Sequence, residues 1–165
     1  MPFAVSDIAA LSRQVGVELL ARGVRLVTAE SCTGGWLAKA ITDIPGSSGW
    51  FERGFITYSD AAKQEMLAVR ATTLKEFGAV SEQTVLEMAQ GALAHSRGDL
   101  AVAVSGIAGP DGGTPDKPVG TVCFAWAEKN GPVRAITQRF QGDREAVRVQ
   151  AVGCALQGIL ETLEI

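Results

Sequence analysis

A hydroxyl nucleophile beside an amine base is the chemistry this sequence can assemble almost without histidine, since His95 is its only one. Thr28-Ala29-Glu30-Ser31-Cys32-Thr33-Gly34-Gly35 joins an apolar run to a helical one within a few residues. A strand that passes straight into a helix points the unpaired N–H groups of the helix's first turn at whatever lies above Ser31. Ser31 can then attack a carbonyl carbon while the N–H groups near Cys32 and Thr33 hold the developing oxyanion. Gly34 and Gly35 permit close approach of a substrate or another backbone. The same residues also suit a plain helix cap by Ser31 or Thr33. Cys32 is a rival nucleophile, because a helix N-terminus lowers a thiol pKa. Against it, free cysteine is commonly a buried packing residue, and no histidine is obviously placed to activate this one.

The base comes from Phe55-Ile56-Thr57-Tyr58-Ser59-Asp60-Ala61-Ala62-Lys63, read as a strand ending near Tyr58 and a helix carrying Lys63 in its first turn or so. The helix dipole and partial burial both disfavour the charged amine there and leave a neutral fraction able to take a proton. A Ser–Lys pair works in that way without histidine, although a surface position is the commoner fate of lysine. If this strand runs parallel to the first, Ser31, Tyr58 and Lys63 converge beyond the carboxyl ends of the strands.

Two further segments can bind an anion. The loop Ser105-Gly106-Ile107-Ala108-Gly109-Pro110-Asp111-Gly112-Gly113-Thr114-Pro115 follows a strand at the same presumed edge. Backbone N–H groups around Gly106, Ala108, Gly109 and Gly112 can meet a phosphate or carboxylate. The loop lacks the Lys-Ser/Thr pair of a phosphate loop, and a tight structural loop is the alternative. In Gly142-Asp143-Arg144-Glu145, Asp143 suits an N-cap and Arg144 either reaches a phosphate or forms a surface ion pair. Arg53 and Lys117 are weaker candidates of that sort. Glu30 can orient Lys63 or a substrate ribose, or serve a neighbouring helix.

The elements that must position these groups alternate. Ile8, Leu11, Val15 and Leu19 recur at helical spacing, between a Ser6 cap and Gly23. Strands are expected at 25–29, 54–58, 100–104, 121–127 and 133–140, with Asn130-Gly131 as a hairpin signal between the last two. Helices are expected at 31–41, from Asp60 through Lys63 toward Leu67, after Ser81, and from Asp143 to about Leu163. This order predicts one domain over residues 1–165, an α/β fold of three α/β/α layers on a mixed, mainly parallel sheet.

Composition narrows the function. With 165 residues, 47% hydrophobic and 20% charged, the chain can bury a core of its own. A net charge of −3 gives no overall attraction to nucleic acid or an anionic membrane. Three widely spaced cysteines make neither a zinc ribbon nor a thioredoxin pair. No signal peptide or transmembrane run is evident, so a cytoplasmic protein is expected, with no metal or cofactor.

Taken together, TAESCTGG at 28–35, GFITYSDAAK at 54–63, GAVSEQT at 78–84, SGIAGPDGGTPDKPVGTV at 105–122 and FQGDREAVR at 140–148 resemble the CinA C-terminal domain family over nearly the whole chain. Within it the closest resemblance is to the stand-alone nicotinamide mononucleotide deamidases. The resemblance implies hydrolysis of nicotinamide mononucleotide to nicotinic acid mononucleotide and ammonia, in pyridine nucleotide recycling. It places the nucleophile on Ser31, the base on Lys63 and an assisting hydroxyl on Tyr58, with the loop after Ser105 lining the site. Many relatives carry Thr at the place of Ser105, where either hydroxyl suits a hydrogen bond to the lysine, and Trp at that of Cys123. The N-terminal domain of longer members is absent from this sequence, and any activity belonging to it is expected to be missing. A binding module without catalysis, a thiol enzyme using Cys32 and an amidase of another small amide are the rival readings. A homo-oligomer, with a symmetric dimer favoured, is the expected assembly.

Overall fold

Large and small apolar residues alternate along the central strands, and this decides which helices lie on which face. A computed structural model describes residues 3–164. Its strands are β1 (Leu26–Glu30), β2 (Phe51–Ile56), β3 (Leu100–Gly106), β4 (Thr121–Glu128) and β5 (Val133–Arg139). Its α-helices are α1 (Val5–Arg22), α2 (Trp36–Thr42), α3 (Asp60–Leu67), α4 (Ala71–Phe77), α5 (Glu82–Ala94) and α6 (Arg144–Glu164). Val102, Val104, Val122, Phe124 and Trp126 pack in one cluster with residues of α1, α2 and α6. Ala101, Ala103, Cys123, Ala125 and Ala127 pack in the other with Leu67, Leu74, Val85, Met88 and Ala89 of α3, α4 and α5. The alanine face lets α5 lie close to the sheet, and the bulky face supports α6.

The strand order is β2-β1-β3-β4-β5. β1 runs parallel to both β2 and β3, while β3–β4 and β4–β5 are antiparallel. The three α/β/α layers are as expected; the sheet is evenly mixed rather than mainly parallel, because the final meander contributes as many pairings as the parallel half. The carboxyl ends of β1, β2 and β3 therefore share one edge. The chain leaves β1 toward the α2 face and β2 toward the α3–α5 face, so the two loops part and open a crevice there.

Several boundaries differ from expectation for local reasons. α2 starts at Trp36 instead of Ser31, because Gly34 and Gly35 take φ of 58° and 99°, outside the helical range. α1 is capped at Ala4, whose N–H donates to the Asp7 carboxylate, and not at Ser6; it does end at Gly23 in the left-handed region. β2 lies at Phe51–Ile56 rather than 54–58: Thr57 N–H still donates to the Glu30 carbonyl, but the Thr57 and Tyr58 carbonyls turn to Lys63. Ser59, not Asp60, caps α3, accepting from Ala62 N–H at 3.0 Å. Ser81 caps α5 by the same bond to Thr84 N–H, at 3.1 Å. α4 is a helix the sequence pattern did not disclose.

Gly91 sits in the middle of α5, where it crosses the end of α3, and a Cβ there would overlap the Leu67 carbonyl. Gly91→Ala is expected to lower stability by about 3 kcal/mol, or roughly 6–12 °C in Tm, despite the better helix propensity of alanine. A urea titration giving unchanged or higher stability would contradict this packing.

Candidate active site

β1 ends at Glu30, and the next residue is held in place by the neighbouring strand: Ser31 N–H donates to the Val104 carbonyl at 3.0 Å. From β2 the chain turns at Tyr58 into α3, which returns Lys63 beneath that turn. The Lys63 amine, 1% exposed, lies 3.0 Å from Ser31 Oγ, 2.9 Å from the Thr57 carbonyl and 3.2 Å from the Tyr58 carbonyl. Ser31 Oγ is also 3.3 Å from the Tyr58 carbonyl. No carboxylate forms a salt bridge with Lys63 among the described residues. A neutral amine has two N–H donors and a lone pair. Two carbonyls and one hydroxyl match that set, and the hydroxyl can reverse its role if the amine is protonated. Burial holds the Lys63 amine below the ordinary lysine value of 10.5, against the opposing pull of Asp60.

The dyad opens on a cleft of about 190 Å³ lined by Ser31, Cys32, Tyr58, Lys63, Ser105, Gly106, Ala108 and Arg144, with Ala79 and Val80 on the side facing α5. Arg144 spans its mouth. Nη1 donates to the Gly109 carbonyl at 2.8 Å and Nη2 to the Tyr58 hydroxyl at 3.4 Å.

The family model for the CinA C-terminal domain matches residues 8–163. The chain belongs to the CinA C-terminal domain family. A relative from Escherichia coli (strain K12), nicotinamide-nucleotide amidohydrolase PncC, is 61% identical over 92% of each chain. One of the same name from Pseudomonas putida is 50% identical over 95% of this chain and 98% of its own. The crystal structure of the competence/damage inducible protein CihA from Agrobacterium tumefaciens superposes with a TM-score of 0.94, at 46% identity and full coverage of both chains.

In this CinA-family chain, several expected site residues do other work. Glu30 neither orients the lysine nor faces the cleft. Its carboxylate is buried at the start of α2 and accepts from Thr33 Oγ1 (2.6 Å), Gly35 N–H (3.2 Å), Leu37 N–H (2.9 Å) and Ala38 N–H (3.1 Å). The helix N-terminus is thus already occupied by an anion of the chain itself, and Thr33, Gly34 and Gly35 shape the turn without lining the cleft. Of the Cys32 and Thr33 N–H groups, which donate to no protein acceptor among the described residues, only that of Cys32 belongs to a residue that lines the cleft; Thr33 is fully buried behind it. Tyr58 meets the dyad through its carbonyl; its side chain is 62% exposed at the mouth, and Lys63 touches Ser31 without a phenol between them. Ser105 lines the cleft but does not hydrogen-bond Lys63. Gly112 is exposed and outside the lining, and Gly109 takes part through its carbonyl.

Of the phosphate-binding candidates Arg53, Lys117 and Arg144, only Arg144 reaches the cleft. Lys117 Nζ is fixed on the Phe77 carbonyl at 2.6 Å, and Arg53 pairs with Glu52 and the His95 carbonyl. His95 ends α5, with Nδ1 2.8 Å from the Gly91 carbonyl. Burial pushes the Cys32 thiol up to about 12, which removes the thiolate a cysteine enzyme requires. Three contributors were missed: Ala79, Val80 and Thr57. The GAVSEQT segment carried the signal for the first two.

Because folding lowers the Lys63 pKa, the unfolded chain binds the extra proton. The contribution of Lys63 to stability therefore falls as pH drops from 10.5 to the folded value, then stays constant. Comparing Lys63→Met with wild type in urea, the variant should gain relative stability by about 1.4 kcal/mol per pH unit through that window. The gain should level off at the pH where the folded amine is fully charged. A difference independent of pH would mean that the amine titrates normally in the fold.

Proposed function

We propose that the chain hydrolyses the carboxamide of nicotinamide mononucleotide to nicotinic acid mononucleotide and ammonia, with Ser31 as nucleophile and Lys63 as base. One observation carries the mechanism: a buried amine without a salt-bridge partner among the described residues, 3.0 Å from the Ser31 hydroxyl. The substrate rests on the identity to the amidohydrolases named above.

Neutral Lys63 takes the Ser31 proton as Oγ attacks the carboxamide carbon. The Cys32 N–H receives the oxyanion. Lys63, now an ammonium held by the Thr57 and Tyr58 carbonyls, returns the proton to the leaving nitrogen, and ammonia departs. Water then attacks the ester, giving its proton to Lys63. The carboxylic acid leaves and Ser31 recovers its hydrogen. The cleft of about 190 Å³ takes the pyridine carboxamide, and Arg144 at its mouth faces the remainder of the nucleotide, where its charge suits a phosphate. Three free cysteines fit a reducing compartment and a cytoplasmic role in pyridine nucleotide recycling.

Ammonia release from nicotinamide mononucleotide tests the reading. Ser31→Ala should lose about 10⁴–10⁶ in turnover, and Lys63→Arg nearly as much, because guanidinium does not give up its proton. Cys32→Ala should stay active. Near-normal release from either dyad variant would defeat the assignment, and salt-dependent DNA binding without ammonia release would favour a non-catalytic module. The rate should climb with pH to a midpoint below 10.5, as Lys63 deprotonates. A flat profile across that range would argue against a lysine base.

A further inference from the structure

A second cavity, of about 370 Å³, adjoins the catalytic cleft and is the larger of the two. Its floor is the side of the β4–β5 hairpin that faces α5, with Thr121, Cys123, Thr137 and Arg139 along it. The segment from the end of α4 into α5 forms the opposite wall, and Asp116 and Lys117 form the rim. Val80 lines both the cavity and the cleft. The floors meet as well: Ser105, in the cleft, pairs across β3–β4 with Cys123, in the cavity. Neither Ser31 nor Lys63 lines this second space.

Three kinds of surface come together there. Phe77, whose ring is exposed, and Val80 supply an apolar wall. The floor at Cys123 extends it, because burial pushes that thiol up and leaves it uncharged. Lys117 and Arg139 supply positive charge, and neither forms a salt bridge among the described residues. Lys117 Nζ donates to the Phe77 carbonyl at 2.6 Å, and Arg139 Nη2 donates to the Asp116 carbonyl at 3.2 Å. An ammonium has three N–H donors and a guanidinium five, so most of them are left for an anion. Glu82 and Asp116 supply the carboxylates. That of Glu82 accepts from Thr137 Oγ1 at 2.7 Å and keeps lone pairs for further donors.

The mixture selects the ligand. A bare anion would meet two carboxylates as well as two cations, and an apolar molecule would be surrounded by charge. A nucleoside monophosphate answers all three surfaces. Its planar base suits Phe77 and Val80, and its phosphate suits Lys117 and Arg139. Its ribose hydroxyls can donate to Glu82 and Asp116, as they do to the acidic residue of dinucleotide sites. The volume falls within the range of about 300–1,000 Å³ usual for small-molecule sites. We infer that this cavity is a second binding site, for a nucleoside monophosphate, beside the cleft and separate from it. The inference goes beyond the amidase reading and does not depend on it.

The test is an NMR titration of the full chain with adenosine monophosphate, read at the backbone amides. Saturable, submillimolar binding is expected, with shifts at Phe77, Gln83, Lys117, Cys123 and Thr137. Lys117→Met and Arg139→Met should each weaken it by about tenfold or more, as the loss of a charge-assisted hydrogen bond implies. Adenosine and ribose phosphate should each bind at least about tenfold more weakly than the whole nucleotide, since each lacks one of the matched parts. Cys123→Trp, which fills the floor, should abolish binding while ammonia release from nicotinamide mononucleotide stays within about threefold of wild type. Absence of shifts at these residues, or shifts confined to Ser31, Tyr58 and Arg144, overturns the inference. So does a folded Cys123→Trp whose KM for nicotinamide mononucleotide rises by more than about tenfold, because the cavity would then be part of the substrate site. If Cys123→Trp does not fold, undiminished binding by the variant carrying both Lys117→Met and Arg139→Met overturns it equally. A wild type that releases no ammonia refutes the amidase reading and leaves the titration to decide this one.

Discussion

A buried amine that forms no salt bridge among the described residues is the constraint around which this molecule is arranged. Lys63 is surrounded by two main-chain carbonyls and one hydroxyl, and none of them carries charge. Such a site disfavours the ammonium and tolerates the free amine. Producing it requires α3 to turn back under the end of β2, and β2 to stop pairing at Thr57 so that its next carbonyls are free to hold the nitrogen. It also requires β1 to lie between β2 and β3, which brings Ser31 over that nitrogen. The parallel half of the sheet supplies these positions, and the antiparallel meander β3–β4–β5 covers the far side and supports α5 and α6.

The carboxylate nearest Ser31 in sequence is spent on architecture. Glu30, adjacent to Ser31 in sequence, points to the opposite layer and closes the N-terminus of α2 with four accepted hydrogen bonds. A carboxylate turned toward the amine instead would have favoured the ammonium and removed the base. Satisfying the helix with Glu30 also means that its first N–H groups do not face the cleft. On the proposed mechanism, anion stabilisation passes from the helix terminus to the turn before it, where Cys32, which lines the cleft, retains an unpaired N–H group.

How much of this was legible in the sequence follows from the range of each interaction. The Ser31–Lys63 pairing was readable, because each residue sits at a strand–helix junction and parallel strands bring such junctions to one edge. The layers were readable from the alternation of strands and helices. The start of α2 was misplaced because an apolar helix pattern resumes at once after Ser31; the Gly34-Gly35 pair was the sign that the helix waits. Glu30 and Tyr58 were assigned by proximity in sequence, which says nothing about which face a side chain takes when a strand ends. Arg148 on α6, whose guanidinium donates to the Cys32 and Thr33 carbonyls, was beyond reach of local reading, since those partners lie 116 and 115 residues away and main-chain carbonyls leave no mark on residue type. Ala79 and Val80 enter the cleft only because α4, itself unrecognised, sets down the segment before α5 there.

On the proposed mechanism, one desolvated environment also explains why serine, and not the adjacent cysteine, is matched to Lys63. A thiol is intrinsically the better nucleophile, but only as thiolate, and burial pushes Cys32 to about 12. A serine needs no prior ionisation; it needs a proton acceptor in contact during attack, and Lys63 Nζ at 3.0 Å provides one. Burial that raises an acid's pKa lowers an amine's, because in both cases the charged form loses its solvation. The dryness that lowers the Lys63 pKa therefore also keeps the Cys32 thiol protonated. A wetter cleft would favour the thiolate but return the lysine to its ammonium form. The proposed Ser31–Lys63 pair is the one that this degree of burial suits, and it rests on solvation as much as on geometry.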